Sequence, residues 1–231
     1  MADRGLICVS VMAEDTTAIM AAVSPVLFLA DVIEIRLDGM LAPRIDDCIT
    51  ALPKPVLVTN RPAWEGGRFS GSERERIDLL EAAVRGGASF VDIELRTAPD
   101  LRTRIVAAAR QSGTKVIISS HDFAKTPTTE HLSAILASMI ASGADVGKIV
   151  TTAASPGDAL RVLALQQEAM AATFPLSAFA MGAAGTISRL ATLYLGGFMT
   201  YAALSKEQAT APGQITVHDL HSLLDLLESA S

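Results

Sequence analysis

Short apolar runs rich in β-branched residues recur along the chain, separated by stretches in which apolar positions return every three or four residues. The runs cover residues 6–12, 32–38, 55–61, 90–95, 115–121, 146–152, 175–181 and 198–204. Their apolarity is nearly continuous rather than alternating, as parallel strands covered on both faces require. The helical period is clearest after Ser72, where Ser72 and Glu75 form an S-x-x-E capping box and Ile77, Leu80 and Val84 follow on one face. Gly86 and Gly87 close that helix. A second stripe (Leu101, Ile105, Ala108) stops at Gly113, and a third (Leu132, Ile135, Leu136, Met139, Ile140) stops at Gly143. Leu220, Leu223, Leu224 and Leu227 predict a last amphipathic helix.

About eight strands alternating with helices in 231 residues predict an α/β chain folded as one (β/α)8 barrel, a single catalytic domain over residues 1–231. A doubly wound open sheet is the competing architecture. Its nucleotide-binding versions lose support, because no G-x-G-x-x-G follows the first run and no P-loop pattern occurs anywhere. Residues 169–188 and 190–205 carry no charge, which by length raises a membrane span. Pro175, Gly182 and Gly185 interrupt the first stretch and polar residues are spread through it, so buried strands and helices of a barrel account for it better. No membrane association is expected.

Composition narrows the function classes. Half the residues are apolar and 19% are charged, which supports a sizeable core. The net charge of −6 argues against a nucleic-acid partner while leaving room for a local basic pocket that takes a small anion. The two cysteines, Cys8 and Cys48, cannot form a disulfide framework and stand in no metal-ligand pattern, so a reducing, cytoplasmic setting is expected.

In a barrel, reactive groups gather at the C-terminal ends of the strands, and several ends here are polar. Glu34, Arg36 and Asp38 alternate along the second run and so share a face. Such charges either pair in a layer inside the barrel or face a site. Arg61 ends the third run, followed by Pro62-Ala63-Trp64-Glu65-Gly66-Gly67; His121 ends the fifth, a structural histidine or a proton carrier. Lys148 is the sharpest signal, a lysine between Val146-Gly147 and Ile149-Val150 in a run that should be buried. Either its stem snorkels to the strand end, or desolvation makes its amine nucleophilic toward a carbonyl. Met181 to Arg189 forms a small-residue turn into a helix, with Arg189 placed either for a carboxylate or for a surface ion pair. Ala211-Pro212-Gly213-Gln214 is a tight turn that can present Gln214 over the barrel mouth.

Taken together, EIRLD (34–38), TNRPAWEGG (59–67), SSHDF (119–123), GKIV (147–150), MGAAGTISR (181–189) and APGQI (211–215) resemble the type I 3-dehydroquinate dehydratases. The resemblance runs in order through essentially the whole chain. It implies a (β/α)8 barrel, usually a homodimer, with no metal or organic cofactor and with 3-dehydroquinate as its small-molecule substrate. It further implies dehydration to 3-dehydroshikimate, with Lys148 as the Schiff-base former, His121 as the proton carrier and Glu65 as the carboxylate that orients the histidine. Arg189 would clamp the substrate carboxylate, while Ser10, Glu34, Arg36, Arg61, Thr210 and Gln214 would hold its remaining groups and the lid. Three features depart from the family pattern. Ser120 stands where tyrosine is frequent, Thr210 where serine is usual, and the first run begins within about five residues, leaving little chain for the hairpin that commonly closes the barrel bottom. A class I aldolase shares the lysine chemistry but usually recognises phosphate, and MGAAGTISR matches such a cradle only in part. A sensing module that keeps the pocket without catalysis is disfavoured by the presence of both Lys148 and His121.

Overall fold

The computed structural model describes residues 4–229. Eight parallel strands alternate with helices: β1 (Leu6–Val11), β2 (Val32–Arg36), β3 (Val56–Thr59), β4 (Phe90–Glu94), β5 (Lys115–His121), β6 (Val146–Thr152), β7 (Leu176–Met181) and β8 (Met199–Ala203). Neighbouring strands pair in the order β7-β6-β5-β4-β3-β2-β1-β8. The ring's last seam has no strand ladder. There Phe198 N donates to Leu176 O (2.8 Å) and Met199 N to the hydroxyl of Ser177 (3.1 Å), so a side chain stands in for a carbonyl. The expected barrel is therefore present and nearly closed.

The helices are α1 (Thr16–Val23), α2 (Ile45–Ala51), α3 (Glu73–Arg85), α4 (Pro99–Ser112), α5 (Thr129–Ala141), α6 (Pro156–Ala171), α7 (Thr186–Tyr194) and α8 (Val217–Ser229). Both halves of the Ser72–Glu75 capping box form at the start of α3. Ser155 and Asp158 make a second box, on α6. No helix among the described residues is long and apolar enough to cross a membrane. The uncharged stretch from 169 to 188 is the end of α6, all of β7 and the start of α7.

Two apolar layers follow from the strand alternation. Outward residues such as Ile33, Ile35, Val58, Ile93 and Ile118 pack under the helices. Inward residues Cys8, Val32, Leu57, Ile117 and Met199 fill the lower barrel. Phe90 and Phe198 meet edge-to-face at 6.0 Å there, with Leu6 packed alongside, so the strands' own side chains fill the bottom. Above that apolar base, the inward positions turn polar. Floor and mouth thus divide the interior into a core and a site.

Candidate active site

Parallel register sets the heights of the polar groups. Ser119 of β5 and Ser177 of β7 flank Lys148 at the same level on either side, and two small neighbours leave room for its long stem. The ammonium does not snorkel to the rim. Its side chain is 7% exposed, and Nζ sits 3.3 Å from Asp92 Oδ2 and 3.9 Å from Glu34 Oε1. Glu34 in turn accepts from Thr59 Oγ1 (2.7 Å) and from the hydroxyl of Ser10.

His121 ends β5 at the cavity wall. Glu65 Oε1 lies 3.0 Å from both its Nδ1 and its backbone nitrogen, a double contact that fixes ring and strand together. Glu65 reaches that position because the chain turns sharply at Gly66, which is left-handed (φ 78°) and packs against the Phe123 ring. A Cβ on Gly67 would collide with the Arg61 backbone, so the two glycines after Glu65 are both required by the turn. Burial, with Arg61 and Lys148 adding positive potential, pushes the His121 imidazole well below its ordinary range. It is therefore neutral and free to accept a proton at neutral pH. Burial also raises the Glu65 carboxyl to about 7 against the opposing charge of Arg61, with Glu94 and Asp92 pushing the same way.

These shifts carry a pH expectation. Ionised Glu65 accepts from Nδ1–H and leaves Nε2 as the base, whereas protonated Glu65 reverses the tautomer. Activity should therefore fall as pH drops through about 7. A kcat/KM profile recorded for the native chain and for Glu65→Gln checks it. The variant should lose that acid limb along with about 10²-fold in rate, and an unchanged limb would assign it to another group.

The arginines divide into paired and unpaired. Arg36 is bidentate to Asp38, at 2.8 and 2.7 Å. Arg61 donates to Glu94 (2.5 Å), Ser119 (2.8 Å) and Asp92 (2.9 Å). Burial alone would raise the Asp92 carboxyl, but Arg61 and Lys148 outweigh it and hold Asp92 below the usual carboxylate range. Behind this layer Arg76 of α3, fully buried, donates to Glu94 (2.5 Å), Glu73 (2.8 Å) and Thr97 (2.7 Å). The charges on β2 thus do both things open at the sequence level: they pair, and they line the cavity.

Arg189 differs. It makes no ion pair among the described residues, is 2% exposed, and donates one hydrogen bond to Pro212 O (3.0 Å), leaving Nε without a partner. Burial lowers its guanidinium to about 10, still charged at neutral pH. The start of α7 that carries it is pinned to β7 by Ser188, whose hydroxyl accepts from Ala180 N (2.8 Å) and donates to Gly185 O (2.5 Å). A buried cation without a counter-charge is a receptor for an anion. Gln214 closes the other side, its Oε1 accepting from Thr210 N (2.7 Å), and Thr210 Oγ1 donates to Ser10 (2.9 Å).

One cavity at the C-terminal mouth is lined by nine of the ten residues singled out in the sequence: Lys148, His121, Glu65, Glu34, Arg36, Arg61, Arg189, Thr210 and Gln214. Ser10 lies outside that lining, fully buried, and reaches it through Glu34 and Thr210. Sequence reasoning missed Asp92 and Glu94, although they alternate along β4 as Glu34 and Arg36 do along β2. It also missed Phe179 and Tyr201, aromatic rings that read as ordinary core.

The family model for type I 3-dehydroquinase matches residues 7–231. The chain belongs to this family. A 3-dehydroquinate dehydratase of Desulfotalea psychrophila is 42% identical over 217 residues, covering 94% of this chain and 96% of that protein. Among solved structures, the 3-dehydroquinate dehydratase of Geobacillus kaustophilus aligns with a TM-score of 0.90 at 29% identity, over 98% of this chain and 92% of that one. The type I 3-dehydroquinate dehydratase of Clostridium difficile, described with covalently modified comenic acid, aligns at 0.87 and 28% identity, over 99% and 94%. The barrel is thus that of the type I 3-dehydroquinases.

Proposed function

We propose that this chain is a 3-dehydroquinate dehydratase, a hydro-lyase that converts 3-dehydroquinate to 3-dehydroshikimate by cis-dehydration through a Schiff base on Lys148. The observation that carries the reading is the meeting, in one cavity, of a buried amine, a neutral imidazole and an unpaired buried arginine. The amine attacks the substrate ketone and, after loss of water, leaves an iminium. The cation acidifies the adjacent carbon, because the electron pair released there delocalises into an enamine. His121, steered by Glu65, takes that proton and returns it to the departing β-hydroxyl, which leaves as water. Hydrolysis of the imine then consumes one water and frees the lysine, so the balance is the loss of one water from the substrate. Arg189 holds the carboxylate, and Glu34, Arg36, Arg61, Thr210 and Gln214 surround the hydroxyls.

Membership of the family supports this substrate, and supports the shikimate pathway of aromatic amino-acid biosynthesis as its setting. Two free, buried cysteines fit a cytoplasmic enzyme, and a homodimer is the assembly the family suggests. Adding 3-dehydroquinate should give rising near-ultraviolet absorbance as the conjugated enone forms. Arg189→Met should raise KM by roughly 10²-fold, the scale of losing one desolvated carboxylate partner. No absorbance change with the native chain would overturn the reading. Native KM in Arg189→Met would move the carboxylate elsewhere.

A further inference from the structure

Two aromatic rings form the floor of the cavity, and each carries a cation. Lys148 Nζ lies 3.7 Å from the centroid of Tyr201, and the Arg189 guanidinium lies 4.8 Å from the centroid of Phe179. The two rings pack against each other at 6.0 Å, tilted by 47°. Both line the site and both are almost fully buried. The face of an aromatic ring is its electron-rich surface, and at these distances it attracts a cation, most strongly where water is excluded.

Hydrogen-bond counting makes the Tyr201 contact more than a packing detail. An ammonium has three N–H donors, and here it faces Asp92 at 3.3 Å and Glu34 at 3.9 Å. An iminium formed at the same nitrogen keeps one N–H, so it can hydrogen-bond to one carboxylate at most. The ring face needs no N–H. Unlike a hydrogen bond, that contact depends on the positive charge and not on the number of N–H donors.

We propose that Tyr201 is a positioning residue for the covalent step, its ring face holding the positive nitrogen of Lys148 once that nitrogen has lost N–H donors for the hydrogen bond with Asp92 and the longer ion pair with Glu34. This rests on the Schiff-base reading above. The Tyr201 hydroxyl finds no hydrogen-bond partner among the described residues, so no contact of the oxygen holds the nitrogen. Burial, with Cys8 and Glu34 alongside, also keeps the hydroxyl protonated.

The test replaces Tyr201 with phenylalanine and then with mono-, di- and trifluorinated phenylalanines, which drain charge from the ring face while nearly preserving its shape. Each is mixed with 3-dehydroquinate and borohydride, and the fraction reduced at Lys148 is read by intact mass. Tyr201→Phe keeps the ring face and sets the reference for the series. Across the fluorinated series the trapped fraction should fall progressively, by roughly tenfold overall, and Tyr201→Leu should fall at least as far. Equal trapping across the series would overturn the proposal while leaving the Schiff base intact. Absence of any Lys148 adduct in the native chain would instead overturn the Schiff-base reading itself.

Discussion

Lys148→Ala is expected to lower kcat/KM for 3-dehydroquinate by at least about 10⁴-fold, ~5.4 kcal/mol of transition-state stabilisation. Nothing else in the cavity can replace the amine. The four neighbouring arginines are Arg36, Arg61 and Arg76, tied to carboxylates, and Arg189, charged at neutral pH. No other lysine lines the cavity. The fold should tolerate the change. Ser119 and Ser177 beside it are already small, and Asp92 keeps both Arg61 and Ser119 as partners when the ammonium is gone. A melting temperature near the native value with turnover lost would separate chemistry from folding. Wild-type turnover in this variant would remove the covalent mechanism.

His121→Ala should divide the reaction at a different point. In the proposed mechanism imine formation needs the amine and the ketone, whereas proton removal, hydroxyl departure and imine hydrolysis need the imidazole. Turnover should fall by about 10²–10⁴-fold, the range for a lost general acid–base, while the adduct on Lys148 still forms and persists. Steady-state rate and intact mass on the same sample read both halves. Loss of adduct in step with loss of rate would place His121 in imine formation as well. Because Glu65 acts through His121, adding Glu65→Gln to His121→Ala should cost little more than His121→Ala alone, the non-additivity of groups working as a unit.

Much of this was legible from residue order. Continuous apolar runs identified all eight strands, because strands covered on both faces leave no polar positions along most of their length. The exceptions to that rule then pointed to the site, since a charge in such a run has to be paired or used. Lys148, Glu34 and Arg36 were visible for that reason. The short helices α1 and α2 were not, because seven or eight residues give too few turns for a stripe to register. Asp92 and Glu94 obey the same alternation and were readable on the same grounds. Arg76 was not: in the sequence it is one charge among several on a helix, and only the fold turns it inward onto Glu94. Pairing could not be read either. The sequence does not distinguish Arg61, shared between two carboxylates, from Arg189, which has none among the described residues. That difference, set by which strand ends meet across the barrel, decides where an anion can bind. The aldolase alternative shared the lysine and the barrel, and the family assignment over residues 7–231 decides against it.

The proposed mechanism turns on a covalent bond between the nitrogen of Lys148 and the substrate. Borohydride added during turnover of 3-dehydroquinate, followed by peptide mass mapping, tests it most directly. The reduced adduct should appear on the peptide containing Lys148 and disappear in Lys148→Ala. Turnover of 3-dehydroquinate with no adduct on that peptide, or with the adduct on a different lysine, would exclude Lys148 as the Schiff-base residue.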